Sequence, residues 1–411
     1  MGRIARPPSS VCILGGGWAG LSVAFHLQEL ASRMQHAMRM HVVDKEAVGE
    51  GGASAVAGGL VHPFTPRAKK IWMGDAGMEA TRRLIRVASE GRREEDFRAA
   101  AQNFPSEIEL LRLEDDPSLA GRTSLEAFSP AALAQGSVSQ QEFRRAYSSA
   151  SGSSGWSGLS VNGRNYSRAL WEHCKRASGG GSIEWVRRDV GGLADVGDLQ
   201  AESVVVCLGY GSVMLRELQG LPIKCVAGQS LEFVRRGDEP SDLKVSLLAG
   251  KYISPLRDGD RLRLYCGATQ EHGTVQELVR RGADVEKAKQ ELIPELTALY
   301  PELGTDCWAP TKVSLSLLPC RTAATDSPWQ SRYGIRALTS RENEGRLPLC
   351  GLLRSGPGGS MLSNSDVWVL TGFGSRGLIH HALLGEMMAK AVMHRDPSHL
   401  PPELQKSSLF T

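Results

Sequence analysis

The chain has 411 residues, 41% of them apolar and 23% charged, and its 48 basic and 45 acidic side chains leave a net charge of +3. That length suits one large α/β unit or two closely joined domains, the near balance of charge argues against a general nucleic-acid binder, and no apolar run approaches the roughly 20 residues of a membrane helix, so an integral membrane protein is not expected. The eight cysteines, at 12, 174, 207, 225, 266, 307, 320 and 350, form no C-x-x-C pair, which argues against a metal site, and they read as reduced thiols.

The first 28 residues hold no acid, only Arg3, Arg6 and His26. The lead before the first strand is too short for a full transit peptide; an organellar protein would have had its targeting segment removed or replaced. Residues 11–14 form a short apolar run of the buried parallel-strand kind. Glycines follow, then a helical pattern from Leu21 toward Met38, then a second strand over 40–43 that ends at Asp44. Residues 49–60 read as a Gly/Ala-rich loop turning into a helix start, 76–99 as a helix, and 148–160 as a flexible Ser/Gly-rich surface loop. A helix over 167–177 and strands over 183–186 and 203–208 come next. From 222 to 268 short runs separated by turn signals such as Arg257-Asp258-Gly259-Asp260 predict an antiparallel sheet. A helix over 283–299, a breaker-rich loop at 355–360, a strand over 367–370 and a helix over 377–393 complete the chain.

Gly15, Gly17 and Gly20 make a G-x-G-x-x-G turn between the first strand and helix, which allows a tight turn, approach of backbone to a pyrophosphate, and close helix–strand packing. The helix N-terminus offers amide N–H groups to phosphate, and Asp44 suits the ribose hydroxyls. Asp44 lies somewhat further on than the usual spacing, which a longer first helix would explain. Later glycines favour FAD over NAD. Gly58 and Gly59 follow Ala53 and Ser54, Gly209 ends a strand, and Gly372, Gly374 and Gly377 open the last helix, where an N-terminus can stabilise negative charge on a reduced flavin. No second fingerprint marks an NAD(P)H site. The cofactor-binding candidates are Gly15, Gly16, Gly17, Trp18, Ala19, Gly20, Asp44, Lys45, Ala53, Ser54, Gly58, Gly59, Leu60, Val190, Gly209, Gly372, Phe373, Gly374, Ser375, Arg376, Gly377 and Leu378. The fold class is α/β (α+β overall), a Rossmann-like FAD-binding domain with an inserted antiparallel-sheet substrate domain. The first comprises 11–100, 160–220 and 335–395, the second 101–159 and 221–334, with tails at 1–10 and 396–411.

Across nearly its whole length the chain resembles the FAD-dependent D-amino-acid oxidase and glycine oxidase superfamily. The resemblance rests on residues 11–20, Gly52-Ala53-Ser54 through Gly58-Gly59, 204–209, Gly228-Gln229-Ser230-Leu231, Gly334-Ile335-Arg336, Leu347-Pro348-Leu349-Cys350-Gly351 and 371–378. Within it, Tyr252-Ile253-Ser254-Pro255, Asp258-Gly259, Gly267-Ala268-Thr269 and Gly374-Ser375-Arg376-Gly377-Leu378 are most similar to the C-terminal oxidoreductase domain of the bifunctional enzyme that matures methylaminomethyl groups on the tRNA wobble uridine. The methyltransferase half of that enzyme has no counterpart here. Leu60-Val61-His62-Pro63 and Pro66-Arg67-Ala68-Lys69-Lys70 also resemble stand-alone plant and algal relatives, which implies a chloroplast location, in the stroma or against the thylakoid, with the cytoplasm as the alternative.

The resemblance implies oxidation of a C–N bond in an amino-acid-like or secondary-amine substrate, by hydride transfer to flavin. Such chemistry depends mainly on orientation over the ring. Arg336 matches the position that holds the substrate carboxylate in glycine-oxidase-like enzymes, and guanidinium suits a bidentate grip; the other reading is a structural arginine. Tyr252 is a second anchor or a packed strand aromatic. His62 borders the flavin or is a structural histidine, and Arg376 reaches flavin or substrate. His380 and His381 read as packing or surface residues. The expected partner is a small amine or amino acid; a protein complex is possible, and tRNA is less favoured but open. Two further functions stand beside the leading one: a non-catalytic FAD-binding assembly or repair factor for a larger, for example photosynthetic, complex, and a tRNA wobble-uridine side-chain oxidase.

Overall fold

The computed structural model describes residues 6–64, 70–90, 106–112, 156–177, 180–236, 245–249, 251–258, 261–310, 331–341, 345–354 and 365–410. Strand β1 (Ser10–Leu14) is wholly buried, as a central parallel strand must be. It is flanked by β2 (Arg39–Asp44) and β7 (Ser203–Val206), both parallel to it. Beyond β2 lies β6 (Ser182–Arg187), and beyond β7 lies β16 (Asp366–Thr371), also parallel. An antiparallel edge strand β15 (Leu349–Leu352) completes a six-stranded sheet in the order β15-β16-β7-β1-β2-β6. Helices α1 (Trp18–Arg33), α3 (Gly74–Glu90) and α7 (Gly377–His394) share one apolar core with the underside of this sheet. Strands from both ends of the chain therefore build one nucleotide-type sheet.

The second sheet has ten strands and is antiparallel apart from one pair. Its long member β8 (Ile223–Arg235) pairs with β11 (Arg261–Gly267), and β11 with β10 (Lys251–Asp258). Strand β14 (Ser331–Thr339) pairs with β8 along its whole length. Alternation along these strands sorts the side chains. Leu231, Phe233, Ile253, Leu264 and Cys266 point to one face and are buried under helix α6 (Val285–Leu299) through Leu292, Leu296 and Leu299. The other face carries polar groups, Ser230, Glu232, Ser254 and Arg332 among them, and turns toward the first sheet.

Several expectations are corrected. Helix α1 stops at Arg33, not near Met38, because Gln35 takes a left-handed backbone (φ 52°) that ends the helix. Connector residues 34–38, rather than a longer helix, carry the chain on to Asp44. Residues 156–160 are not surface loop but strand β5 (Trp156–Ser160), paired with strands β4 (Ser106–Arg112) and β3 (Leu60–Val61). The small residues of β5 admit a buried hydrogen bond between Ser160 Oγ and Ser254 Oγ at 2.9 Å. Strand β14 runs straight through residues 334 and 335, where a domain boundary was expected, and β3 joins the second sheet although it lies within 11–100. Residues 396–410 are not a loose tail: Leu404 and Phe410 are buried, and Arg354 N–H donates to Leu409 O. The expected helix beyond Glu90, the 148–155 part of the Ser/Gly-rich loop, the 355–360 loop and Cys320 lie outside the described residues. No helix among the described residues is long and apolar enough to cross a membrane.

Candidate functional site

A cleft of about 1550 Å³ runs across the carboxyl ends of the parallel strands, the edge where open α/β sheets place their ligands. Each strand of that edge leads into it. Gly15 and Gly17 follow β1, Asp44 and Lys45 end β2, Val190 follows β6, Gly209 follows β7, and Gly372 follows β16. The short helix α2 (Gly52–Val56) adds Ala53 and Ser54, and the next turn adds Gly58, Gly59 and Leu60. Trp18, Ala19, Phe373, Gly374, Ser375, Arg376, Gly377 and Leu378 also line it.

Gly16 and Gly20, expected among the cofactor contacts, do not line the cleft. Gly16 N–H donates to Asp44 Oδ2 at 2.8 Å, while Asp44 Oδ1 accepts from Glu46 N–H at 2.9 Å. A Cβ on Gly20 would fall 1.9 Å from the Gly15 carbonyl oxygen. Gly16 anchors the Asp44 carboxylate, and Gly20 packs closely against the Gly15 backbone.

The second glycine turn is tied to the first sheet and to the antiparallel sheet together. Thr371 Oγ1 donates to Gly209 O at 3.0 Å, and Gly374 N–H donates to Ala337 O at 2.8 Å. The latter bond sets the start of α7 beside β14, and so beside Arg336. No acidic residue lies in the first turn of α7 and no side chain caps it.

The same cleft carries the expected substrate residues. Arg336, Tyr252 and His62 all line the same cleft. Arg336 is half-buried, and its side chain has no ion-pair or hydrogen-bond partner among the described residues. Burial lowers its pKa below the ordinary guanidinium value. The Tyr252 ring lies against Gly58, where a Cβ would stand 2.4 Å from its Cε2. The bareness of Gly58 thus makes room for Tyr252. Burial raises the Tyr252 pKa, partly offset by a hydrogen bond with Ser230 and by the charges of Arg332 and Arg336. Burial and then the nearby Arg376 charge push His62 down to about 4, against a backbone hydrogen bond with Phe64, so its imidazole is neutral at physiological pH. Arg376 itself is lowered by burial and by Arg341, and its Nη1 is buried without a hydrogen-bond partner among the described residues.

Four groups of this site escape a reading of the sequence. Gln229, Ser230, Lys251 and Arg332 line the cleft, and only the strand pairings bring them there. His381 was expected to be a packing or surface residue. It is buried and borders the cleft. His380 is buried as well, beside Trp72, and does not line the cleft.

The residues fit a flavin dinucleotide. The cleft is one continuous trough from the first glycine turn and Asp44 to the start of α7. A Cβ at Gly52 or Gly209 would meet nothing within 4 Å, so both open onto it. Its volume exceeds the roughly 300–1,000 Å³ of a pocket for one drug-sized ligand.

Fold and site together define a flavin-dinucleotide oxidoreductase whose cleft is lined by residues of both sheets. The chain belongs to the FAD dependent oxidoreductase (DAO) family, whose model matches residues 10–391, and FAD is its cofactor. It is similar to the tRNA 5-methylaminomethyl-2-thiouridine biosynthesis bifunctional protein of Chromohalobacter salexigens, at 24% identity over 424 residues covering 97% of this chain and 56% of that protein. The chain thus spans about half the length of that relative. Among solved structures, iminodiacetate oxidase from Chelativorans sp. BNC1 shares the fold with a TM-score of 0.63 at 16% identity, covering 96% of this chain and 98% of that one. Glycine oxidase from Geobacillus kaustophilus gives 0.59 at 18% identity, with 95% and 96% covered. L-alpha-glycerophosphate oxidase from Mycoplasma pneumoniae, a structure with FAD bound, gives 0.52 at 12% identity, with 93% and 94% covered.

Proposed function

We propose that this protein oxidises a C–N bond in an amino-acid-like or secondary-amine substrate whose carboxylate is held by Arg336. The observation that carries this reading is the state of Arg336: a half-buried guanidinium, without an acid partner among the described residues, on the strand hydrogen-bonded to the Gly374 turn. A charge in that setting costs free energy unless an anion completes it. Held by the turns at Gly15, Asp44 and Gly372 that line the cleft, bound FAD would supply the two-electron acceptor for oxidation of the amine to an imine, which water would hydrolyse. The chain's own residues bind and orient. Arg336 grips the carboxylate, and Tyr252, kept neutral by its raised pKa, offers a hydroxyl beside it. His62 stays uncharged and so adds no second positive charge next to Arg376. This positioning would orient the reacting C–N bond, which is the main requirement of the reaction.

The names of the similar proteins agree with an amine or amino acid as substrate. A tRNA side chain is the second reading, favoured by likeness to the tRNA-modifying relative over nearly the full chain. The test is anaerobic addition of amines to the purified holoprotein while the visible flavin bands are followed. Bleaching by glycine, sarcosine or proline supports the small-molecule reading, and bleaching only by wobble-modified tRNA replaces it with the second. A flavin that neither reduces overturns both.

A further inference from the structure

The polar face of the antiparallel sheet carries a second arginine site. Strand register places Tyr252, Gly267, Ser230 and Arg332 in one row across β10, β11, β8 and β14. Gly267 has no side chain to interrupt that row: a Cβ there would stand 2.8 Å from Ser230 Cβ and 3.0 Å from the Tyr252 hydroxyl. The phenol therefore crosses β11 to reach Ser230. Arg332 stands at the end of the row and lines the cleft, although only 8% of it is exposed. Arg336 lies four residues further along the same strand, on the same face by the two-residue repeat, about 13 Å away at Cα. Both arginines are near enough to act electrostatically on Tyr252.

The Arg332 guanidinium lies over the Tyr265 ring, 4.1 Å from its centroid. Its acidic neighbour is Glu232, 3.4 Å from Nε, and that carboxylate already meets Arg263 at 2.6 Å. The Arg332 Nε makes no hydrogen bond among the described residues. A further cation, Arg164, is close enough to Arg332 to be lowered by it. Among the described residues, then, Glu232 lies against both Arg263 and Arg332, while the Arg336 side chain meets no carboxylate. The other acids that line the cleft lie elsewhere: Asp44, Glu46 and Asp189 at the strand ends, and Glu295 beside Lys251. One carboxylate on Arg336 would leave Arg332 under-compensated in a buried setting.

We propose that the substrate is an amino diacid, with one carboxylate on Arg336 and the second on Arg332, and the amine between them near the Tyr252 hydroxyl. Arg332 is then the specificity-determining residue, selecting dicarboxylate over monocarboxylate amines. This rests on the amine-oxidation reading of the cleft, but it is tested by binding alone.

The probes are thiodiacetate and methylthioacetate, a dianion and a monoanion of matched shape without an oxidisable amine. Each is titrated into the holoprotein and its dissociation constant is read from the change in the visible flavin spectrum. Thiodiacetate is expected to bind at least about tenfold more tightly, the scale of one charge-assisted contact. Arg332→Gln is expected to bring the two constants within about twofold by weakening thiodiacetate alone. Should that variant lose its flavin, Arg332→Lys decides with the wild type: loss of the bidentate grip is expected to shrink the preference and leave methylthioacetate unchanged. Equal affinities in the wild type, a preference indifferent to residue 332, or no spectral response to either probe would overturn the proposal. Failure of amines to bleach the flavin would instead remove the oxidation reading, and the two binding constants would still stand.

Discussion

The Tyr166 hydroxyl, on helix α4 (Gly163–Arg176), donates to Nε2 of His381 at 2.7 Å, and both residues are buried. Nδ1 of the same ring donates to Leu378 O at 2.8 Å, which also accepts from Thr81 Oγ1 at 2.8 Å. Elements remote in sequence thus brace the first turn of α7, which lines the cleft. Tyr166→Phe leaves the ring nitrogen buried without its donor, at a cost of about 1–3 kcal/mol. The expected result is a lower melting temperature together with faster FAD loss on dilution. A variant that melts lower but keeps FAD equally well would separate the brace from the cofactor site.

The half-buried His62 and the buried His380 and His381 make stability depend on pH. Burial holds His62 and His381 down to about 4 and His380 to about 3, from an ordinary 6.5. The unfolded chain takes up protons below about 6.5 that the folded chain refuses. Stability is therefore full above that pH and falls as pH drops toward 4, by up to about 1.4 kcal/mol per pH unit for each histidine. Urea denaturation between pH 7.5 and 5 isolates them, because carboxylates titrate lower. A flat profile over that window would contradict the placement of these rings.

Asp44 ties the first glycine turn through two backbone amides and faces the cleft with the same carboxylate. Asp44→Ala is expected to weaken FAD binding about 10- to 100-fold, measured by flavin fluorescence on apoprotein titration, with Asp44→Asn between the two.

Gly58 is bare because Tyr252 occupies the space beside it. Gly58→Ala is expected to displace the phenol, retain FAD at near wild-type occupancy, and slow amine-driven bleaching about tenfold or more, since reactivity depends on orientation. Equal loss of FAD and of bleaching would mean that Gly58 serves the cofactor instead.

The nucleotide half of the site is legible in the sequence because its signals are local. A strand, a glycine turn, a helix and Asp44 follow one another within 35 residues, from Ser10 to Asp44. Gly372–Leu378 is readable for the same reason, as glycines between an apolar strand and a helix. What this reading could not separate was which glycines face the ligand and which, like Gly16 and Gly20, pack against protein. The substrate wall is mostly hidden. Arg332 meets Tyr252 only through three strand pairings, and no spacing along the chain predicts that row. Strand β5 reads as loop because its Ser and Gly residues carry little strand propensity, and long-range pairing overrides it. Tyr166 and His381 are 215 residues apart, so their bond is likewise a property of the fold.

The central claim, that Arg336 holds a substrate carboxylate beside the flavin, is tested most directly by the anaerobic reductive half-reaction of wild type and Arg336→Gln. Sarcosine and dimethylamine, an amine with and without the carboxylate, are compared in rapid mixing. The expected result is a rise of at least about tenfold in the sarcosine dissociation constant on losing Arg336, with dimethylamine unaffected. An unchanged sarcosine constant, or an equal change for both amines, would contradict the account.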